Sequence, residues 1–264
     1  MEKKYKKNSF ISIGRLNQLS NPIRYLTLKE KLIWICSLSI IAVTNILIGG
    51  FDFLTLIASC IGVTSLILAA KGNVWSQILM IIFSVLYGII SAQFHYWGEM
   101  ITYLGMTMPM AIFSTITWLK NLSENGKEVK IQELKGQHII ILLLSSMLVT
   151  FLFYNILARL KTPNLIFSTI SITTSYLAAS LTMLRSPYYA IGYAANNLIL
   201  ITLWTLATLQ NPLYLSVIII FVIFFFYDIY GFVSWKQRET VSYTHLRPTR
   251  LRRISYAVFC LKKK

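Results

Sequence analysis

The sequence predicts an all-α integral membrane protein with about eight transmembrane helices, arranged as two parallel three-helix repeats joined by a linker helix. Three observations support this fold class: the apolar composition, the lengths of the apolar runs and an internal repeat. With 56% hydrophobic residues, 13% charged residues and a mean hydropathy of +0.62, the chain has more apolar surface than a water-soluble domain can bury.

Eight apolar runs are long enough to cross a hydrocarbon core of about 30 Å at a rise of about 1.5 Å per residue, though the first two only just reach this length. Because lipid offers the backbone no hydrogen-bonding partner, each run is predicted to be helical. Thr27 and Glu30 form a capping-box pattern at the start of the first span. The predicted spans are 32–49, 53–70, 74–93, 97–119, 138–158, 164–184, 188–209 and 212–235.

The second half of the chain repeats the first at a shift of 117 positions, without a gap over roughly 50 residues. A shift of four spans preserves direction, so the two triplets are predicted to be parallel repeats, an arrangement found in transporters. The matched pairs are Tyr87 with Trp204, Gln93 with Gln210, Trp97 with Tyr214, Phe113 with Tyr230, and Trp118 with Trp235. The predicted organisation is repeat one at 53–119, linker helix 138–158 and repeat two at 164–235 within a transmembrane domain of 32–239, with one extra N-terminal helix.

Nearly all loop cations fall on one predicted side, so the positive-inside rule places both termini in the cytoplasm, including the basic segment 1–31. The opposite side carries only Arg159 and Lys161. The net charge of +16 therefore needs no nucleic-acid partner, which would require a soluble basic face. The basic-side residues are Lys3, Lys4, Lys6, Lys7, Arg15, Arg24, Lys29, Lys31, Lys71, Lys120, Lys127, Lys130, Lys135, Arg185, Lys236 and Arg238.

The segment 241–264 differs from the rest of the chain. Residues 241–246, VSYTHL, resemble a translation of the transposase adapter used in sequencing libraries. Residues 247–264 are basic and lack an apolar stripe that could dock them as a helix. We expect this tail to be a non-native artefact.

Polar side chains inside the spans identify a candidate substrate site, because polar groups are costly in hydrocarbon and usually mark a cavity. Span seven has the densest set, and Tyr193, Asn197 and Trp204 share one helix face. An aromatic ring with amides about two turns away suits a ligand with a π system and hydroxyl or carboxamide groups. The alternative is that Asn196 and Asn197 bond neighbouring helices.

Gln77 and Tyr87 on span three, and Asp228 on span eight, complete the predicted substrate-binding set. Asp228 is the only acid well inside a predicted span. It could bind substrate hydroxyls, carry a coupling proton, or anchor a tyrosine or a helix end.

Residues at the span ends have structural interpretations as well. Trp97, Trp118, Tyr214 and Trp235 are predicted to be interfacial anchors. Glu99 at the outer edge of span four is a gate, a solvated interfacial group or a helix N-terminal charge.

No P-loop, zinc-protease or serine-hydrolase motif occurs, and no paired acids lie within the spans. These patterns favour passive facilitation without an ATP motor, a metal or a cofactor, and they disfavour an enzyme. The predicted partners are a small vitamin or nucleoside substrate and the lipid bilayer.

Eight short segments stand out in combination: 69–73, 86–88, 96–103, 108–110, 118–121, 185–190, 193–197 and 228–232. Together they resemble the PnuC vitamin transporters, and Gram-positive members most closely. The resemblance implies a 3+1+3 fold related to the sugar-carrying SWEET proteins, in the plasma membrane of a bacterium. It implies facilitated diffusion of nicotinamide riboside, trapped inside by phosphorylation, with substrate held by Asn196, Asn197 and Trp204. Many members carry an acid where Asn197 stands and an amide where Tyr227 stands.

Two alternatives stay open at this point. Other branches of the family carry thiamine, riboflavin or deoxynucleosides on the same scaffold. A membrane-embedded sensor or partner subunit would bind but not translocate, with the charged loop 120–137 as its docking segment. The resemblance also allows a homo-oligomer.

Overall fold

A computed structural model describes residues 22–48, 52–93, 96–123, 127–162, 164–209 and 212–261, with side chains placed as far as residue 241, Leu213 apart. Within these ranges the protein is helical, and the one extended pairing is an isolated bridge between Leu122 and Val129. The helices are α1 Leu28–Leu47, α2 Phe53–Ala70, α3 Trp75–Gln93, α4 Trp97–Thr102, α5 Met108–Lys120, α6 Gly136–Arg159, α7 Leu165–Met183, α8 Tyr189–Thr208 and α9 Leu215–Leu261.

Eight helical stretches are long and apolar enough to span a bilayer, as predicted. The fourth joins α4 and α5 through a π-helical turn, Tyr103–Thr107, and the last is Leu215–Val241. The π turn ends just before Pro109, which has no N–H to bond the preceding turn, so the helix widens there rather than breaking.

The N-terminus of α1 is fixed by the predicted capping box, four residues before the predicted start of the span. Glu30 N–H donates to Thr27 Oγ1 at 3.3 Å, and Thr27 N–H donates to Glu30 Oε2 at 2.6 Å. At the other end of the chain, α9 continues through the segment predicted to be non-native, so no helix end marks residue 239.

The helices form two triplets, α2–α3–α4/α5 and α7–α8–α9, which meet in a crossed manner. The last helix of each triplet packs against the first helix of the other, α9 on α2 and α5 on α7. The linker helix α6 packs on α7 and leaves most of its apolar side chains exposed for lipid.

Trp118 and Trp235 lie where the triplets cross, and the prediction that these two residues are interfacial anchors is wrong. Both are fully buried, with ring centroids 5.7 Å apart. The indole N–H of Trp118 donates to Thr182 O and that of Trp235 donates to Ala69 O, both at 2.9 Å. Each tryptophan therefore binds a last-turn carbonyl of the opposite triplet's first helix, and we call this pair the tryptophan clasp.

The helices that receive these bonds, α2 and α7, end in the same backbone motif. Gly72 and Arg185 each have positive φ, 67° and 57°. Each donates its N–H to the carbonyl three residues back, Ala69 at 2.8 Å and Thr182 at 2.9 Å. These pairs are 113 positions apart, whereas the clasp pair is 117 apart. The matching ends of α2 and α7 support the parallel repeat, which stays a prediction. The two triplets cannot, however, be aligned over their whole length at one constant shift.

Gly192 permits the closest helix approach in the second triplet. A Cβ on Gly192 would lie 2.9 Å from both Cα and Cβ of Ala178 on α7. Because this obstacle is backbone, we expect Gly192→Ala to separate α7 from α8 and destabilise the protein by about 1–3 kcal/mol. Gly136→Ala is the matched control, since nothing lies within 4 Å of its added Cβ. The apparent melting temperature in detergent distinguishes them, and equal shifts would contradict the packing argument.

Candidate functional site

Two small adjoining cavities lie between the triplets, and they gather every predicted site residue except Gln77. The first, the aromatic cavity, has a volume of about 20 Å³ and includes Tyr87 and Trp204. The second, the polar cavity, has a volume of about 30 Å³ and includes Tyr193, Asn196 and Asn197 together with Asp228. Gln77 is buried near the start of α3, where its Nε2 donates to Ser76 Oγ at 3.2 Å, and it lines neither cavity.

Two phenyl rings separate the cavities. Phe83 on α3 and Phe224 on α9 line both cavities and meet edge to face, with centroids 5.8 Å apart. Gly62 on α2 makes room for them, because a Cβ there would lie 2.6 Å from Phe224 Cζ and 3.1 Å from Phe83 Cε2. A ligand that occupies both cavities must therefore displace this pair.

Asn197 and Asp228 connect α8 to α9 across the polar cavity. Asn197 Nδ2 donates to Asp228 Oδ2 at 2.6 Å, and both side chains are buried. This short bond to a carboxyl orients the amide, so its carbonyl oxygen remains for a ligand.

Asn196 has a different arrangement although it is adjacent in sequence. Its Oδ1 accepts from Ser171 Oγ and from Thr174 Oγ1, both at 3.0 Å on α7. The predicted alternative, helix-to-helix bonding, therefore describes both asparagines, since Asn197 bonds Asp228 on α9. Asn197 is the stronger ligand candidate because its partner also lines the polar cavity.

Trp204 and Tyr87 have buried polar atoms whose bonding capacity is unmet. The indole N–H and the phenol hydroxyl approach each other, but the geometry falls short of a hydrogen bond, and each lacks another partner among the described residues. A buried donor without an acceptor is costly, so these atoms suit a ligand with hydroxyl groups. The Trp204 ring also contacts Tyr96 and Tyr214, at centroid distances of 4.9 and 5.5 Å, towards the side opposite Lys71.

Sequence reasoning missed several residues of the site. Phe83, Phe224 and Tyr103 line the polar cavity, yet apolar or aromatic side chains in a span carry no signal that separates a cavity wall from ordinary packing. Glu99 is only 4% exposed, so its interpretation as a solvated interfacial acid is wrong. Its Oε2 has no hydrogen-bond partner in the described part of the chain, and neighbouring His95 lies outside that part.

The cavity volumes describe a closed conformation. Each cavity has room for about one or two water molecules, whereas sites for small organic ligands occupy about 300–1,000 Å³. A ligand of vitamin size can enter only if the triplets move apart and the Phe83–Phe224 contact opens.

Comparisons with known proteins agree on one family. The family model described as nicotinamide mononucleotide transporter matches residues 52–245. The chain is 22% identical over 191 residues to the nicotinamide riboside transporter PnuC of Neisseria mucosa, covering 70% of this chain and 73% of that protein. Its fold matches the crystal structure of the vitamin B3 transporter PnuC with a TM-score of 0.72 at 20% identity, covering 86% of this chain and 97% of that one. With eight candidate spans among its described residues and a family match over most of its length, the chain belongs to the PnuC family of membrane transporters.

Proposed function

We propose that this protein carries nicotinamide riboside across the plasma membrane by facilitated diffusion. The observation that carries the proposal is the convergence of Trp204, Tyr87, Asn197 and Asp228 on two adjoining cavities between the triplets. Aromatic faces suit the nicotinamide ring, and the amide, indole and phenol groups suit its carboxamide and the ribose hydroxyls. The similarity to a curated nicotinamide riboside transporter supports the same substrate.

The cavity chemistry favours the riboside over the phosphorylated mononucleotide. Neither cavity has an Arg, Lys or His among its lining residues, so a buried phosphate would have no counter-charge. Asp228 in the polar cavity would repel it further. We expect the mononucleotide to compete poorly.

Alternating access is the mechanism that the packing supports. The triplets contact each other through the α2–α9 and α5–α7 pairs, and the substrate cavities lie between them. A substrate that binds both orientations equally moves down its own gradient, and intracellular phosphorylation would make uptake one-way. The loop charges place both termini in the cytoplasm, with Lys71 and Arg185 on the inner side. Association of several copies and the non-native origin of 241–264 stay predictions.

Uptake of labelled nicotinamide riboside into liposomes that contain the full chain tests the function directly. We expect uptake that equilibrates without ATP or an ion gradient and that is blocked by unlabelled nicotinamide riboside. Thiamine, riboflavin, deoxynucleosides and nicotinamide mononucleotide serve as competitors. If one of these competitors inhibits uptake and unlabelled nicotinamide riboside does not, that competitor is the better candidate substrate. Binding without uptake would favour the alternative of a membrane-embedded sensor.

Asn197→Ala and Asn196→Ala form a matched pair of variants at adjacent positions. Asn197→Ala removes a cavity amide, and we expect substrate affinity to fall about tenfold or more. Asn196→Ala removes the acceptor of two α7 hydroxyls, so we expect a lower melting temperature and a smaller loss of affinity. Isothermal titration and thermal unfolding of the purified variants measure both quantities. The reverse pattern would contradict the assignment of these two residues.

A further inference from the structure

Asp228 lies in the polar cavity, and none of the described residues that line this cavity is basic. Its side chain is 2% exposed and, among the described residues, accepts a hydrogen bond from Asn197. A buried carboxylate is costly unless a cation or several hydrogen bonds offset it. The ion pairs of the described residues all lie elsewhere: Lys71 with Glu30, Lys236 with Glu239, and Arg238 with Glu128.

The other walls of the polar cavity are aromatic or neutral. Four rings line it, and the negative face of an aromatic ring attracts a cation by about 0.5–2 kcal/mol, more when water is excluded. The rings come from α3, the π turn, α8 and α9, so the cage needs both triplets. They are Phe83, Tyr103, Tyr193 and Phe224.

The composition of the cage indicates the kind of cation. Within the described residues, no group of three or more His, Cys, Asp or Glu side chains could hold a metal ion. One carboxyl among several aromatic rings suits an organic cation whose charge is spread over a flat surface. A pyridinium ring is such a cation, and in nicotinamide riboside its charge is fixed by the bond to ribose at every pH.

We propose that the polar cavity is a cation subsite that selects a permanently charged aromatic ring, with Asp228 as its counter-charge. This inference rests on the proposed function and extends it, because it gives the substrate an orientation. The pyridinium ring occupies the polar cavity, and the ribose reaches the unmet indole and phenol groups of Trp204 and Tyr87. Selection by charge then excludes neutral molecules of the same shape.

The test compares nicotinamide riboside with its reduced form, which keeps the ribose and the carboxamide but has a neutral dihydropyridine ring. Binding of each to the full-length protein is measured by isothermal titration. We expect the wild-type protein to bind the cation at least about tenfold more tightly than the neutral form. Asp228→Asn keeps an oxygen that can accept the hydrogen bond from Asn197, but it removes the negative charge. We therefore expect the preference for the cation to fall to about threefold or less, because affinity for the cation is lost.

Two further variants separate charge from structure. Asp228→Glu restores the charge and is expected to retain a preference for the cation. Glu239→Gln also removes one negative charge from α9, but far from the cavities where Glu239 pairs with Lys236 at 2.8 Å, and it is expected to leave the preference unchanged.

The outcomes distinguish this inference from the proposed function. If the wild-type protein binds both forms equally, or if Asp228→Asn weakens both alike, the cation subsite is wrong while nicotinamide riboside remains the substrate. If the wild-type protein binds neither form, the proposed function fails and the subsite fails with it.

Discussion

Trp204→Ala is expected to reduce substrate affinity by about a hundredfold or more, so that uptake into liposomes falls to background. The indole is 1% exposed and forms a wall of the aromatic cavity, with its N–H unmet. Truncation removes both a stacking surface and a hydrogen-bond donor, and losses of about 2–4 kcal/mol are usual for such anchors. Trp204→Phe keeps an aromatic face but not the N–H, so we expect an intermediate loss of about tenfold.

The same change also leaves a void, and a fold control is therefore needed. Removing a buried tryptophan costs about 3–5 kcal/mol of stability, so binding must be measured on protein that is monodisperse after solubilisation. Trp97→Ala is the matched control, because Trp97 lies on the same side of the membrane domain but is 40% exposed. Normal binding by Trp204→Ala, or equal losses in both variants, would contradict the assignment of the aromatic cavity.

Hydropathy and length were sufficient to predict the spans, and residue type pointed to most of the residues that line the two cavities. Each transmembrane helix satisfies its backbone hydrogen bonds within its own segment, so a span can be predicted from local sequence alone. The polar residues of α8 stand out for the same reason, because polar groups in hydrocarbon need a specific cause. Asn197 and Asp228 meet in the polar cavity, and Trp204 lines the adjoining aromatic cavity.

Packing of apolar and aromatic side chains was harder to predict. Phe83 and Phe224 divide the site, but phenylalanine in a span is equally suited to lipid, a helix contact or a cavity wall. Gln77 is polar and buried but lines neither cavity. Its side-chain amide instead donates a hydrogen bond to neighbouring Ser76 near the start of α3. Only the tertiary arrangement separates these cases.

The repeat register shows a related limit. The ends of α2 and α7 align at a shift of 113, and the clasp tryptophans align at 117. A difference of four residues is close to one helical turn of about 3.6 residues, so both registers place the same helix face towards the core. Sequence comparison therefore could not locate the extra turn.

The tryptophan clasp is expected to be among the largest single contributors to the stability of the closed conformation. Trp118 and Trp235 are both fully buried, and each donates its indole N–H to a carbonyl of the opposite triplet at 2.9 Å. We expect Trp118→Ala and Trp235→Ala each to cost about 3–5 kcal/mol of unfolding free energy, through the cavity that is left and the loss of the indole hydrogen bond. The corresponding Phe variants retain much of the ring and should lose about 1–2 kcal/mol, from the lost hydrogen bond and the smaller ring.

A double-mutant cycle decides whether the clasp acts as one unit. Because the two rings lie 5.7 Å apart, the first alanine already removes part of the second ring's packing. We therefore expect the double variant to lose about 0.5–3 kcal/mol less than the sum of the single losses. Unfolding is followed by size-exclusion chromatography after heating, which does not depend on tryptophan fluorescence. Additive losses would mean that the two tryptophans stabilise their triplets separately. Because the clasp joins α5 to α7 and α9 to α2, coupled losses would instead show that the two tryptophans stabilise the contact between the triplets as one unit.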